Sequence, residues 1–454
     1  MENAVKDWRG RSYRPGPVPA DRTRMFWLAL AAMAAIGPLQ YGYAALLAKE
    51  AAGLTLLAVW IACQAAGALP ALHLVRRGRL TVRACLAAGA ALSGLGLATA
   101  ALAGPALAAT ALTGPGLAAL AGYALLGGLG AGLVYGVCGE VVASWYPERP
   151  AARVGLITGA FGYGAVPLLV WTGIAPGATT AAFLVAAVLA VAVIGTAARW
   201  LRLPPALWWP GDVDPRTHAL DAARLRTSPE AVKQFGLAQA MRTRTLPALA
   251  LLLTCAGAVS VFDVIVVAGT GTWGALALLV ALNGAGRSVA MRAAELFGRR
   301  RVLATVFGAL ALGQILLAVA VQNAGALART APGTAAGDAL AAAGGSALGA
   351  SAQGAVVGSA LLWLGVVAAG LGGGAFYPLL ASLVRELFGT ERATEIHAVV
   401  YSAKAVAGVV AVALALTALT APGAALLAAA ALAALPALAT PRLRIPGLPA
   451  TIPL

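Results

Sequence analysis

Apolar residues run along this chain in stretches of helical length, broken by short clusters of polar and charged residues. The runs cover 25–48, 54–75, 83–103, 117–142, 154–174, 178–198, 246–269, 273–293, 302–322, 356–381, 396–419 and 424–439. A bilayer-spanning helix needs roughly 20 mostly apolar residues, and for apolar runs length decides for helix over strand. The pattern therefore predicts twelve membrane spans, of which the last is the shortest.

The polar clusters have a sidedness. Lys and Arg total 28 in the N-terminal segment, the even-numbered connections after spans two, four, six, eight and ten, and the C-terminal segment, against Lys49 and Arg329 on the other side. That split is the positive-inside signature, and it predicts both ends of the chain in the cytoplasm of a multi-pass protein of the cell membrane. It also accounts for the net charge of +16 without nucleic acid. Composition agrees: 61% of the 454 residues are apolar and 11% charged, with a mean hydropathy of +0.86. Ordinary globular domains carry about 25% charged residues. A soluble enzyme, a disulfide scaffold and a disordered chain are all excluded. Cys63, Cys85, Cys138 and Cys255 fall inside apolar runs without metal-ligand spacing and read as free buried thiols.

The chain divides into a cytoplasmic tail 1–24, a six-span half 25–198, a cytoplasmic central loop 199–245, a second six-span half 246–439 and a cytoplasmic tail 440–454. The run beginning at Met25 is too long for a cleaved signal and reads as the first span. The central loop holds Pro204, Pro205, Pro210 and Pro215, and the external stretch 323–355 is a low-complexity Gly/Ala/Ser/Thr insertion expected to be flexible.

The two halves echo each other. Gly128-Leu-Gly-Ala-Gly-Leu-Val-Tyr135 in span four aligns with Gly370-Leu-Gly-Gly-Gly-Ala-Phe-Tyr377 in span ten, identical at five of eight positions, and each runs through an aromatic residue (Tyr146, Phe388) to a Glu-Arg pair (Glu148-Arg149, Glu391-Arg392). Parallel six-span repeats about an axis normal to the membrane are the architecture of major facilitator transporters, and the expected fold is that all-α membrane fold. More narrowly, Gly130-Ala-Gly-Leu-Val-Tyr135-Gly-Val-Cys138, Trp145-Tyr-Pro-Glu-Arg149 and Gly155-Leu-Ile-Thr-Gly159-Ala-Phe-Gly-Tyr-Gly-Ala165 resemble the oxalate:formate antiporter family. So do Gln40-Tyr41, Asn283-Gly-Ala-Gly-Arg287 and Tyr401-Ser-Ala-Lys404. The superfamily's loop motif, Gly-x-x-x-Asp-Arg-x-Gly-Arg-Arg, survives in fragments: Arg76-Arg77-Gly78-Arg79 with Val75 in the Asp position and Ala71 in the Gly position, and Gly298-Arg299-Arg300 preceded by Glu295. The resemblance implies exchange of small carboxylates through an aromatic-lined site.

The residues point the same way by themselves. Arg287 lies 11 positions before Gly298 and Lys404 lies 12 beyond Arg392, which at helical rise puts them roughly 16 and 18 Å deep, near the midplane of a ~30 Å hydrocarbon core. Cations at that depth mark a functional site by default. The competing structural reading pairs them with Asp263 or Glu140, but those carboxylates lie only about 8–9 Å from opposite ends of their spans. Two unpaired cations at one level call for an anion: the planar Arg fork grips a carboxylate in bidentate fashion and Lys supplies a point charge. Tyr135 and Tyr377 fall at the same depth, Tyr401 shares the face of Lys404, and Gln40, Tyr41 and Asn283 complete the expected substrate-binding set. Asp263 and Glu140 remain candidates for proton coupling.

Other features have structural readings. Gly128, Gly132 and Gly136, and again Gly155 and Gly159, form small-residue ladders for close helix packing. Gly269-Thr-Gly-Thr-Trp-Gly274 matches a dinucleotide fingerprint in letters only, because it follows a membrane helix on a turn. His73, His218 and His397 are scattered near span ends, and no catalytic triad, Walker loop or zinc motif occurs, so neither enzymatic activity, cofactor nor metal is expected. The sequence predicts a monomeric exchanger of a small organic anion, its partners being that anion and the lipid bilayer. The alternatives are a proton-coupled exporter of hydrophobic compounds, which calls for an acidic central site, and a non-transporting anion sensor.

Overall fold

A computed structural model describes residues 4–7, 10–103, 115–224, 231, 233–329 and 347–447. Among the described residues twelve helices are long and apolar enough to cross a membrane: Arg22–Leu46, Ala51–Val75, Val82–Ala103, Gly116–Trp145, Ala152–Ile174, Pro176–Trp200, Thr245–Gly269, Trp273–Phe297, Arg299–Asn323, Val357–Phe388, Ala393–Thr420 and Pro422–Arg442. These are spans 1 to 12 below, and each falls on one of the twelve runs expected from the sequence. An even number of spans returns the chain to the face where it began. That face, called the terminal face here, carries both ends, the central segment and the 4–5 and 10–11 turns. Large apolar side chains such as Leu102, Ile174, Val188, Leu419 and Leu438 point outward and exposed, as a lipid-solvated surface requires.

The internal repeat is a packing repeat. A Cβ on Gly128 or Gly132 would strike span 2 at the carbonyls of Trp60 and Gln64, and one on Gly130 would strike span 3 at Leu92 and Ser93. In the second half the same register recurs: Gly370 and Gly374 abut the carbonyls of Leu279 and Asn283 in span 8, and Gly372 abuts Leu310 in span 9. Span 4 thus sits on spans 2 and 3 as span 10 sits on spans 8 and 9. Gly136, though at ladder spacing, lines a cavity instead. The two halves meet chiefly through spans 5 and 8, where Gly159 and Gly284 each abut the other's carbonyl, and through spans 2 and 11, where Gly408 abuts Ile61.

Several spans are irregular at mid-membrane. Span 1 widens into a π-helical turn over Pro38–Gly42, because Pro38 has no N–H to donate to the preceding turn. Span 5 breaks at Gly164–Ala165, just ahead of Pro167, between the helices Pro150–Tyr163 and Val166–Ile174. At that break Gly164 lies directly on the backbone of Ala34 in span 1, an approach no side chain permits. Span 11 breaks at Ala403, between Ala393–Ser402 and Lys404–Thr420.

Two regions differ from expectation. The stretch 323–355, read as a flexible insertion, is helical at both margins: the helix of span 9 continues to Arg329 and that of span 10 begins at Ala347. Alanine is the strongest helix former, so the Ala-rich margins extend the spans; the remainder, 330–346, lies outside the described residues. The N-terminal segment and central segment, read as a tail and a loop, build a small sheet. Strand β1 (Val5–Lys6) pairs antiparallel with β2 (Ser12–Gly16), which pairs parallel with β3 (Trp208–Pro210). The Tyr13 hydroxyl donates to Asp7 at 3.0 Å, and burial beside that carboxylate raises its pKa. Trp208 packs edge-on against Trp145 at 4.9 Å, Arg22 donates to the Trp145 carbonyl and pairs with Glu148, and Arg202 holds Asp21 through two hydrogen bonds of 2.9 and 3.0 Å. Farther along, the Phe235 N–H donates to the Phe388 carbonyl at 2.9 Å, and the Gln234 side chain accepts from Thr390 N–H at 2.9 Å. The central segment is thereby anchored to the 4–5 turn of one half and the 10–11 turn of the other.

Candidate functional site

Where the halves meet at mid-depth, Gln40, Tyr41, Tyr135, Phe161, Arg287, Tyr377, Tyr401 and Lys404 enclose a cavity of about 10 Å³, roughly the room for one water. The substrate-binding set expected from the sequence is therefore gathered in one place. Asn283 alone stands behind the wall: its side-chain oxygen accepts from the Tyr41 hydroxyl at 2.9 Å and from Arg287 at 3.2 Å, and its Nδ2 donates to Ser260 at 3.1 Å. One helical turn from Arg287, it positions the guanidinium rather than facing the cavity.

Both cations come from the second half and find their partners mainly in the first. Arg287 is 2% exposed and Lys404 3%. Nη1 of Arg287 donates to the Thr158 carbonyl at 2.7 Å and Nη2 to the Tyr41 hydroxyl at 3.3 Å. The Lys404 ammonium donates to Oε1 of Gln40 at 2.9 Å and to Oε1 of Gln64. Every acceptor is neutral. Among the described residues neither cation has a carboxylate within ion-pair distance, and Nε of Arg287 has no hydrogen-bond partner. The two carboxylates of the competing reading are engaged elsewhere: Glu140 accepts from Ser144 at 3.2 Å, and Asp263 accepts from Gln314.

Aromatic faces supply the remaining stabilisation. The Arg287 guanidinium lies 5.2 Å from the Tyr377 ring centre and 5.9 Å from that of Phe161. The Lys404 ammonium lies over the same two rings at 5.7 and 5.5 Å, and 5.8 Å from Tyr401. Such cation–π contacts are worth roughly 0.5–2 kcal/mol each, less than the several kcal/mol that burying each ion costs. Tyr135 stacks on Tyr401 at 5.3 Å, and Tyr41 meets Phe161 edge-on at 5.4 Å, so the rings brace one another into a box. The irregular turns of span 1 and span 11 fall at Gln40–Tyr41 and Lys404, where the helix ladder is already interrupted.

Between the box and the terminal face lies a second cavity of about 110 Å³, bordered by Gly136, Glu140, Thr158, Arg385 and His397. Tyr135, Tyr377 and Tyr401 line both cavities, so these three rings form the partition between them. On the opposite face the halves are closed, with Gly173 of span 5 packed on the Trp273 ring of span 8 and Gly408 on Ile61.

Two members of the site escaped the sequence reading. Phe161 offers no polar atom to flag it. Gln64 shows its place only through packing: Gly132 abuts its carbonyl as Gly374 abuts that of Asn283, so Gln64 is the pseudo-equivalent of Asn283 in the internal repeat.

No protein-family model matches the sequence, and no curated protein matches it. Solved structures do resemble it in three dimensions. The inward-open xylose transporter XylE from E. coli aligns with a TM-score of 0.61 at 14% identity, over 95% of this chain and 98% of that one. The nucleoside transporter NupG, solved as a point mutant, aligns with 0.59 at 12%, over 93% and 99%. The E. coli fucose:proton symporter FucP aligns with 0.55 at 16%, over 93% and 97%. A further structure of XylE is described as a major facilitator superfamily symporter, and it covers 93% of this chain at 15% identity with a TM-score of 0.55. The chain has the major facilitator fold, two six-span halves closed around a central box of cations and aromatic rings.

Proposed function

We propose that this protein is an alternating-access transporter of a small organic anion, an oxalate- or formate-like mono- or dicarboxylate, carried by exchange. One observation carries the reading: Arg287 and Lys404 are buried over the same two aromatic rings without a carboxylate between them. A bound carboxylate neutralises both and restores the charge balance that neutral amides and hydroxyls leave incomplete. Exchange follows from the same balance, since a box holding two bare cations is costly to reorient and a loaded one is not. The transporters of similar fold handle a sugar, a nucleoside or a peptide according to their descriptions; the paired cations are what argue for an anion here. The protein works as a monomer in the cell membrane with its terminal face in the cytoplasm, so the larger cavity is the inward vestibule.

Counterflow in proteoliposomes against a panel of labelled mono- and dicarboxylates tests the proposal. Accumulation of one or more of them over neutral sugars is the expected result. Binding without counterflow identifies an anion sensor instead, and counterflow of hydrophobic cations alone identifies a drug exporter.

A further inference from the structure

Asp263 in span 7 is 1% exposed and Gln314 in span 9 is fully buried. Nε2 of Gln314 donates to Oδ1 of Asp263. Two atoms of this pair have no hydrogen-bond partner, Oδ2 of Asp263 and Oε1 of Gln314. Both are acceptors if the carboxyl is ionised, and two buried acceptors left without donors are costly. A single proton on Oδ2 resolves both at once. A carboxylic acid and a primary amide are complementary: amide N–H donates to the acid C=O, and acid O–H donates to the amide C=O.

No cation offers another solution. Among the described residues Asp263 has no basic group within ion-pair distance. The titratable side chains on the spans packed against span 7 are occupied otherwise. Tyr43 of span 1 stacks on Tyr123 at 3.8 Å, and Arg287, Tyr377, Tyr401 and Lys404 of spans 8, 10 and 11 line the central box. His397 of span 11 and Arg385 of span 10 border the vestibule, and span 9 brings only Gln314 to this level.

We propose that Asp263 and Gln314 form a proton-binding site inside the second half, occupied at neutral pH as a cyclic acid–amide pair that clasps span 7 to span 9. The proton is a second ligand of the carrier, held apart from the central box, and the proposal stands independently of which substrate that box takes. Loss of the proton turns the clasp into two facing acceptors, so the native packing of spans 7 and 9 depends on it. Because the native state holds a proton that an exposed aspartate gives up, raising pH favours unfolding through this site.

Infrared spectroscopy of the full-length protein in lipid nanodiscs at pH 7 tests the assignment, comparing wild type with Asp263→Asn. A protonated-carboxyl carbonyl band present in wild type and missing from the variant is the expected difference; its absence overturns the proposal. An asparagine side chain is isosteric with the neutral acid and can pair with Gln314 in the same cyclic way. Asp263→Asn is therefore expected to keep the wild-type melting temperature at pH 7 and to lose part of its decline at alkaline pH. A clear destabilisation at pH 7 means that the carboxylate charge was required. Gln314→Leu provides the converse arm: the band persists and moves to higher wavenumber, because the acid carbonyl has lost its donor. Disappearance of the band in a folded Gln314→Leu protein also counts against the proposal.

Discussion

At the scale of single residues, the site divides into groups that carry charge and groups that hold them. Arg287 commits its two terminal nitrogens to Thr158, Tyr41 and Asn283 and keeps Nε without a partner. Its planar fork allows this division, and an ammonium cannot reproduce it. Arg287→Lys is therefore expected to abolish anion binding although the charge remains, and Arg287→Gln and Lys404→Gln to do so as well. Each loss corresponds to roughly 2–5 kcal/mol, the usual cost of truncating one partner of a buried charged contact. If both cations grip one ligand, the double replacement costs less than the sum of the singles. Calorimetry on the four proteins with the transported carboxylate decides this, and undiminished binding in both single variants would end the anion reading. Depth from helical rise sufficed to bring Arg287, Lys404 and the three tyrosines together, because each sits in a span whose ends are marked by charge. It did not separate Asn283, which braces, from Gln40, which faces the cavity. Spacing along one helix fixes depth, whereas facing depends on the neighbouring helix.

At the scale of helices, glycine decides how near two backbones come. Gly132 belongs to the interior of the first half, where a Cβ would collide with the Gln64 carbonyl and with Ala68 at 2.9 Å. Gly132→Leu is expected to destabilise the fold by more than the roughly 1–3 kcal/mol typical of overpacking, while half-buried Leu133→Ala is tolerated. Equal melting temperatures for the two variants would reduce the ladder to an accident of composition. Gly159 occupies a different seam, between the halves, with its Cβ direction 2.7 Å from the Gly284 carbonyl. Gly159→Ala wedges spans 5 and 8 apart in the closed arrangement without disturbing either half. The expected result is a slowed exchange rate with a near-normal melting temperature, read from counterflow and thermal denaturation on the same preparation. The number and placement of the spans were legible because hydrophobic length is a strong signal. The break at Ala403 was not, since nothing in Tyr401-Ser-Ala-Lys404 forbids a continuous helix.

Across the whole molecule, the small sheet and the anchored central segment were the least legible parts. Strands of two, five and three residues, the last joined to the second across nearly 200 residues of chain, leave no periodic trace in the sequence, and Lys6 and Arg22 read as basic tail residues and Arg202 as a basic loop residue until their partners are seen. Their positions nonetheless agree with the charge count. Arg22 reaches Glu148, Arg202 reaches Asp21, and Arg216 donates to the Lys6 carbonyl, so the N-terminal segment, the 4–5 turn and the central segment share one face. In the proposed reading that face is cytoplasmic, the expectation set by the 28-to-2 distribution of Lys and Arg, because basic flanks resist translocation. Single cysteines introduced within 225–230 and within 330–346, probed in intact cells by a membrane-impermeant maleimide, report the orientation. The native thiols give little background, three of them being buried and Cys63 lying inside span 2. The expected outcome is labelling at 330–346 only, with 225–230 labelled after the cells are opened. The reverse pattern would turn the vestibule beneath Tyr135, Tyr377 and Tyr401 into an outward-facing one, and labelling of both sites in intact cells would contradict an odd number of spans between the two probes.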